Sequence, residues 1–268
     1  MDGQAGATGR AALVMAGTKG LGRGCAEALG RAGYRLTICG RDGASADAVA
    51  ASLRASGADA ARVRADVSRE DDLAALFADA DERFGRLDVL VANAGGPSAG
   101  AFMDASDERW QAGFELTLMS AVRAMRLAVP RMRQAGYGRI VVIGSSSSKQ
   151  PIEGLVLSNA FRPALAGVVK TLAREVAADG ITVNMCRPAA STRTVCAAWT
   201  PRAPERTACR MTNTVLPTSG PSPRGATAPR ATSARWSPSS PPTSPATSRG
   251  RTSSSTAAWY PRFNAHNF

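Results

Sequence analysis

Short apolar runs and longer amphipathic stretches alternate strictly through the first two thirds of this 268-residue chain. The apolar runs predict strands at 11–17, 35–40, 61–66, 86–96, 138–148 and 180–186, and the stretches between them predict helices at 20–32, 47–56, 71–84, 110–132 and 155–178. Strands that alternate with helices form a parallel sheet with helices on both faces. We therefore predict an α/β, doubly wound parallel sheet that binds its ligands at the carboxyl ends of the strands.

The net charge of +12 lies almost entirely at the end of the chain. Residues 185–268 hold 11 arginines, no lysine, one acid and 12 of the 16 prolines, whereas residues 1–184 hold 22 basic and 20 acidic residues. This division predicts a globular domain over 1–185 and a Pro/Arg/Ser/Thr-rich tail over 186–268 that is irregular or disordered. A basic tail that binds nucleic acid is the alternative, but it contains no recognised module, so we expect no nucleic-acid partner.

The same sequence argues against export and against a membrane span. Its first ten residues contain an acid and no apolar segment, and no apolar run reaches the roughly 18 residues of a spanning helix. Five scattered cysteines, without CxxC or Cys/His spacing, indicate reduced thiols. We expect a cytoplasmic protein with no membrane partner and no metal.

A glycine-rich turn, AGTKGLGRG, joins the first strand to the first helix. Its glycines let backbone amides approach a pyrophosphate at the helix N-terminus: Gly17, Gly20 and Gly22. Where an NAD-preferring enzyme usually has an acid after the second strand, this chain has Gly40 and Arg41, with Lys19 in the first turn. The two cations favour the 2′-phosphate of NADP(H). The alternatives are a plain tight turn and a solvated loop charge at Arg41.

Together these motifs resemble the short-chain dehydrogenase/reductase family, close to its 3-oxoacyl-(acyl-carrier-protein) reductase branch, over about residues 11–184. MAGTKGLG corresponds to the family's TGxxxGxG, ADVS contains its adenine-contacting aspartate, NAG supports the cofactor site, and GRIVVIGS ends in its substrate-orienting serine. The resemblance implies a Rossmann fold that uses NADP(H) to interconvert a carbonyl and an alcohol on a small molecule. It implies these cofactor-binding residues: Gly17, Thr18, Lys19, Gly20, Leu21, Gly22, Arg41, Asp66, Val67, Asn93, Ala94 and Gly95.

The catalytic set departs from the family. By spacing, the family's asparagine, serine, tyrosine and lysine correspond to Thr117, Ser145, Ser158 and Arg162, so only the serine remains. The family tyrosine donates a proton to the carbonyl. A serine hydroxyl is a far weaker acid than a phenol of pKa about 10, and an arginine of pKa above about 12 does not relay protons.

Three interpretations of Ser158 and Arg162 stay open. In the first, an active reductase takes its proton from water or substrate, and Arg162 stabilises the developing alkoxide. In the second, a binding protein without turnover uses Arg162 to hold an acidic substrate or the cofactor's ribose. In the third, Ser158 lies on the helix surface and Arg162 is a salt-bridge partner. Pro163 is expected to disturb this helix, because it removes a backbone donor.

After Asn184 the sequence leaves the family pattern, and codons that could encode it, with a free choice of third bases, fit a shifted reading frame near Met185. If each true codon joins the third base of the preceding printed codon to the first two bases of the current one, TSRGRTSSSTAAW (247–259) can decode as YVTGTDLLVDGGM. We predict a frameshift, either a sequencing error or a real lesion that leaves a defective product. The resemblance also implies a homodimer through the two long helices, and a tetramer if the C-terminus is restored.

Overall fold

The computed structural model describes residues 9–188 and 209–211. The tail predicted over 186–268, its proposed frameshift and the contacts of its restored form lie almost wholly outside the described residues. The predicted division into two domains at residue 185 therefore stays a prediction.

The described residues form one seven-stranded sheet with helices on both faces. The strands are β1 (Ala11–Val14), β2 (Arg35–Gly40), β3 (Ala60–Arg64), β4 (Val89–Ala92), β5 (Gly138–Ile143), β6 (Ile181–Pro188) and β7 (Cys209–Met211). The helices are α1 (Gly20–Arg31), α2 (Gly43–Ala55), α3 (Glu70–Phe84), α4 (Asp107–Phe114), α5 (Ser120–Ala135) and α6 (Val156–Glu175). The spatial order is β3-β2-β1-β4-β5-β6-β7.

The first six strands are parallel, which confirms the predicted doubly wound sheet. The order reverses at β1, which pairs with β2 on one side and β4 on the other. In such a sheet, the crevice beside the reversal is where ligands bind. The short β7, which the sequence did not predict, runs antiparallel to β6.

Two apolar cores lie on opposite faces of the sheet. One is formed by α1 and α2 against the sheet, with Leu29, Ile38 and Leu53 among its buried residues. The other is formed by α3, α5 and α6, with Phe77 and Met132 fully buried. Strands β1, β2, β4 and β5 are covered on both faces and therefore appear in the sequence as continuous apolar runs, whereas β3 at the edge of the sheet alternates between buried and exposed residues.

The predicted helix 110–132 was wrong in its detail. It begins earlier, at Asp107, and a five-residue π-helical segment, Glu115–Met119, separates α4 from α5. Pro163 was expected to disturb its helix, yet α6 continues through it. Proline removes one backbone donor from the helix, and Pro163 lies on the exposed side of α6, away from the residues that pack against the sheet.

Cys25 and Cys39 are thiols, as expected, and both are buried, whereas Cys186 is disulfide-bonded, which corrects the prediction of reduced thiols for that residue. No helix in the part of the chain that the structure describes is long and apolar enough to cross a membrane. Within the same residues, no group of three His, Cys, Asp or Glu side chains could hold a metal ion.

Candidate active site

The turn between β1 and α1 lies where the strand order reverses. The Gly17 N–H donates to the Cys39 carbonyl at 2.9 Å, which ties the turn to β2. Gly20 has a φ of +54° and opens α1, whose first turn contains no acid. The amides at this helix N-terminus are therefore available to an anion such as a pyrophosphate.

Gly22 is the glycine that the packing most strictly requires. A Cβ built there would lie 2.3 Å from the Ala16 carbonyl oxygen and 2.6 Å from Asn93 Nδ2. The Asn93 amide donates to that same oxygen at 3.3 Å, so the end of β4 supports the turn. Ala16 has a φ of +45°, in the left-handed region that favours glycine.

The outer face of the turn is open. At Gly20 and Gly95, no atom of the described residues lies within 4 Å of where a Cβ would stand. Thr18, Leu21 and Ala94 are half-buried around it. A ligand could therefore reach the backbone of the turn from this side.

At the end of β2, the acid that an NAD-preferring enzyme would place there would require the Thr18 side chain to move. A Cβ on Gly40 would lie 2.6 Å from the Thr18 Cγ2 methyl carbon. Arg41 and Lys19 are both exposed beside this point. Asp42 follows, but its carboxylate accepts the Ala44 N–H at 3.2 Å and the Ser45 hydroxyl. The Ser45 hydrogen bond, with a smaller contribution from the charge of Lys19, lowers the pKa of Asp42.

Asp66 and Val67 follow β3. The Asp66 carboxylate accepts both the Ser68 N–H, at 3.0 Å, and the Ser68 hydroxyl, at 2.7 Å. Burial acts to raise the pKa of Asp66, but these hydrogen bonds and the charge of Arg41 lower it overall. Val67 is buried in the apolar core. The structure therefore brings the predicted cofactor residues of β1, β2, β3 and β4 to the same carboxyl edge of the sheet.

Three serine hydroxyls form a chain beyond the end of β5. Ser145 Oγ accepts the Ser147 N–H at 3.2 Å and lies 3.0 Å from Ser147 Oγ. Ser147 Oγ in turn lies 2.9 Å from Ser158 Oγ. Ser147 was not predicted. The sequence SSSS offers four serines there, and only the 3₁₀ turn at Ser146–Ser148 selects this one.

Arg162 is buried, with 8 % of its surface exposed, and its Nη1 donates to the Ile143 carbonyl oxygen at 2.6 Å. Among the described residues, its Nε has no hydrogen-bond partner and no carboxylate forms a salt bridge with it. Burial lowers the pKa of this guanidinium. Ser158 is also 8 % exposed. The interpretation that made Ser158 a surface residue and Arg162 a salt-bridge partner is therefore wrong.

Thr117, the residue at the family's asparagine position, lies in the π-helical segment. It is buried, and its Oγ1 has no hydrogen-bond partner among the residues that the structure describes. The described hydrogen bonds do not connect it with Ser145, Ser158 or Arg162. Of the four predicted catalytic residues, hydrogen bonds therefore connect only Ser145 and Ser158, through the hydroxyl of Ser147, among the residues that the structure describes.

A loop after β4, residues 97–105, lies beside α6. Arg109 holds it through the carbonyls of Ala99, at 2.6 Å, and Asp104, at 2.7 Å. Rings of Phe102, Trp110 and Phe161 stack edge to face from this loop to α6, with centroid separations of 6.3 and 5.7 Å. These aromatic rings therefore connect the loop and α4 with α6.

A cleft of about 670 Å³ lies elsewhere, lined by charged residues that include Asp47, Arg54, Asp59 and Arg83. It is at the amino end of β3. Ligands of parallel sheets bind at the opposite, carboxyl edge, so we do not assign this cleft to the active site.

A parallel sheet whose strand order reverses beside a glycine-rich turn and an open helix N-terminus defines a dinucleotide-binding fold of the Rossmann type. A profile of the short chain dehydrogenase family matches residues 10–202. The chain therefore belongs to the short chain dehydrogenase family.

Individual relatives agree with this assignment. The chain is 31% identical over 159 residues to Dehydrogenase/reductase SDR family member 4 of Oryctolagus cuniculus, a match that covers 59% of this chain and 61% of the relative. The chain spans about half to three fifths of the length of such curated relatives.

Solved structures match at similar identity. L-sorbose reductase from Gluconobacter frateurii, complexed with NADPH and L-sorbose, matches with a TM-score of 0.66 and 34% identity, over 68% of this chain and 70% of that protein. Actinorhodin polyketide ketoreductase with NADPH matches with a TM-score of 0.65 and 35% identity, over 67% and 70%.

Proposed function

We propose that this protein is an NADP(H)-dependent oxidoreductase that interconverts a carbonyl and an alcohol on a small molecule. The observation that carries the proposal is the hydroxyl chain of Ser145, Ser147 and Ser158 at the carboxyl edge of a dinucleotide-binding sheet. The NADPH present in both structural relatives supports the choice of cofactor.

The residues around the turn fit such a cofactor. Gly17, Gly20 and Gly22 would hold its pyrophosphate against the start of α1, because the turn is open at Gly20 and the helix has no acid in its first turn. Lys19 and Arg41 would hold the 2′-phosphate. When bound, NADPH would supply the hydride that reduces the carbonyl carbon.

The hydroxyl chain gives Ser145 a defined role. A hydroxyl has one proton and two lone pairs, and Ser145 Oγ accepts both the N–H and the O–H of Ser147. Ser158 then donates to Ser147, so the proton of Ser145 is left for the substrate oxygen. A hydrogen bond from Ser145 would stabilise the developing alkoxide. Water or the substrate completes the protonation, because no phenol is present at position 158.

A second candidate is a homologue that binds the cofactor without turnover. The burial of Arg162 and its bond to the Ile143 carbonyl favour it, since the guanidinium is shielded from solvent and one of its donors is already occupied by the backbone. Buried Ser158 is similarly engaged with Ser147.

Two measurements separate these candidates. Titration of the full chain with NADPH, monitored by the fluorescence of the nucleotide, should show saturable binding for both candidate functions. Turnover with a panel of ketones and alcohols should appear only under the first, and Ser145→Ala should lower kcat by about 10²–10³ with little change in the Kd for NADPH. Failure to bind NADPH would refute both candidates, and binding without turnover across the panel would favour the second.

Three sequence-based predictions remain proposals. We propose a homodimer through α4–α5 and α6, a cytoplasmic location, and a frameshift near Met185. Independent resequencing of the gene tests the last, because an uninterrupted frame that yields the printed tail would exclude a sequencing error. Sedimentation of the full chain tests the first.

A further inference from the structure

Arg64, the last residue of β3, lies beside the predicted cofactor site, although nothing in the sequence singled it out. It pairs in register with Gly40, and the Ala65 N–H donates to the Gly40 carbonyl at 3.1 Å. Its own Nε–H donates to the Arg41 carbonyl oxygen at 3.3 Å. The guanidinium of Arg64 therefore lies against the turn between β2 and α2.

No described carboxylate neutralises the charge of Arg64 through a salt bridge. Arg62 lies two residues earlier on the same face of β3 and forms a salt bridge with Asp47 at 2.6 Å. In contrast, Arg64, Arg41 and Lys19 form no salt bridge with any described residue. We call Lys19, Arg41 and Arg64 the cation cluster.

The acids nearest the cation cluster are already engaged. The carboxylate of Asp42 caps α2 through Ala44 and Ser45. The carboxylate of Asp66 accepts two hydrogen bonds from Ser68. These acids moderate the local charge from a distance, but they leave the cationic groups themselves free to contact a ligand.

We propose that Arg64 is a specificity-determining residue for the 2′-phosphate of NADP(H). The inference rests on the proposed function. A phosphate is the chemistry that several converging cations recognise, and a guanidinium provides a planar fork of donors for it. Arg64 acts in two ways: its charge adds to those of Lys19 and Arg41, and its Nε–H bond fixes the backbone from which the Arg41 side chain projects.

Fluorescence titration of the full chain with NADPH, NADH and 2′,5′-ADP tests this role. Arg64→Ala should raise the Kd for NADPH and for 2′,5′-ADP on the order of ten-fold, because a hydrogen bond to a charged group is lost. The Kd for NADH should stay unchanged. Arg64→Lys keeps the charge without the fork and should weaken NADPH by a smaller factor. Arg62→Ala is the matched control, because it removes a cation that already has a partner, and it should change none of the three constants.

The outcomes are distinguishable. A wild-type chain that does not bind NADPH refutes the proposed function, and the inference with it. A wild-type chain that binds NADPH, together with an Arg64→Ala variant of unchanged NADPH affinity, overturns the inference alone. An equal loss of NADPH and NADH in that variant also overturns it, because the 2′-phosphate would then not be what Arg64 recognises.

Discussion

Replacing Gly22 by alanine tests the close approach of α1 to the turn that follows β1. In an ordinary helix interior this change stabilises a protein by about 1 kcal/mol. At Gly22 the new methyl group would meet the Ala16 carbonyl oxygen at 2.3 Å and the Asn93 amide at 2.6 Å. The oxygen belongs to the backbone, so it cannot move aside as the end of a flexible side chain would.

The magnitude follows from three contributions. Overpacking a close contact costs about 1–3 kcal/mol, and loss of the hydrogen bond from Asn93 to Ala16 costs about 1 kcal/mol more. The gain in helix propensity offsets about 1 kcal/mol. Gly22→Ala should therefore lower the free energy of unfolding by about 1–3 kcal/mol, and Tm by roughly 2–12 °C for a domain of this size. It should also weaken the binding of NADPH, because the glycine-rich turn must shift to make room for the methyl group.

Urea unfolding followed by circular dichroism measures the first effect, and fluorescence titration measures the second. Gly167→Ala is the matched control. Gly167 lies in α6, no described atom lies within 4 Å of where its methyl group would stand, and the change should stabilise the protein by roughly 0.5–1 kcal/mol. If Gly22→Ala gains stability as Gly167→Ala does, and NADPH affinity is unchanged, the reasoning about this contact is refuted.

Three further changes test other parts of the structure. Asp88→Ala should lower the free energy of unfolding by about 1–3 kcal/mol, because the buried Ala11 N–H loses the carboxylate that accepts it at 2.8 Å, whereas the half-exposed Arg86 is solvated by water. Asp79→Ala is the control: it removes the salt bridge with Arg83 at the surface and should lower the free energy of unfolding by less than about 1 kcal/mol, as urea unfolding would show. Burial raises the pKa of Cys39 to about 12, so mass spectrometry should find this residue of the native protein unlabelled by iodoacetamide at pH 8. The free energy of unfolding should fall as the pH rises from about 9 towards 12, because the thiol ionises at lower pH in the unfolded chain than in the folded protein. Labelling of Cys39 in folded protein would contradict this burial. Ala16→Gly should raise the free energy of unfolding by about 1 kcal/mol, since φ is +45° there, and a loss of stability would contradict the strain.

The positions of β1, β2, β4 and β5 could be predicted because burial on both faces makes these strands continuous apolar runs. Strand β2 was predicted with its observed bounds, Arg35–Gly40, and the other five parallel strands were placed with errors only at their ends. Helix type was less predictable. The π-helical segment differs from an α-helix only in which backbone groups pair, and its residues, ELTLM, have no composition that distinguishes it.

The site was predictable where it depends on the backbone and unpredictable where it depends on contacts between distant side chains. Glycines at a strand–helix turn have a local conformational reason to be there, so their role could be proposed from spacing. Arg62 and Arg64 look equivalent in sequence, yet one has a carboxylate partner and the other bonds to the Arg41 carbonyl. The bond from Arg162 to Ile143 joins residues 19 apart, and no local pattern indicates it.

The hydrogen bond from Asn93 to Ala16 also has a consequence for the order of assembly. It spans 77 residues, and the bond from Ala11 to Asp88 at the other end of β1 spans the same distance. Contacts of such long range form late, because the intervening chain must first lose its freedom. During synthesis, β1, α1 and β2 leave the ribosome well before β4, so the nascent chain exposes a nucleotide turn that lacks its support. Under the proposed function, NADP(H) would therefore stabilise the fold only after the fourth strand has been made.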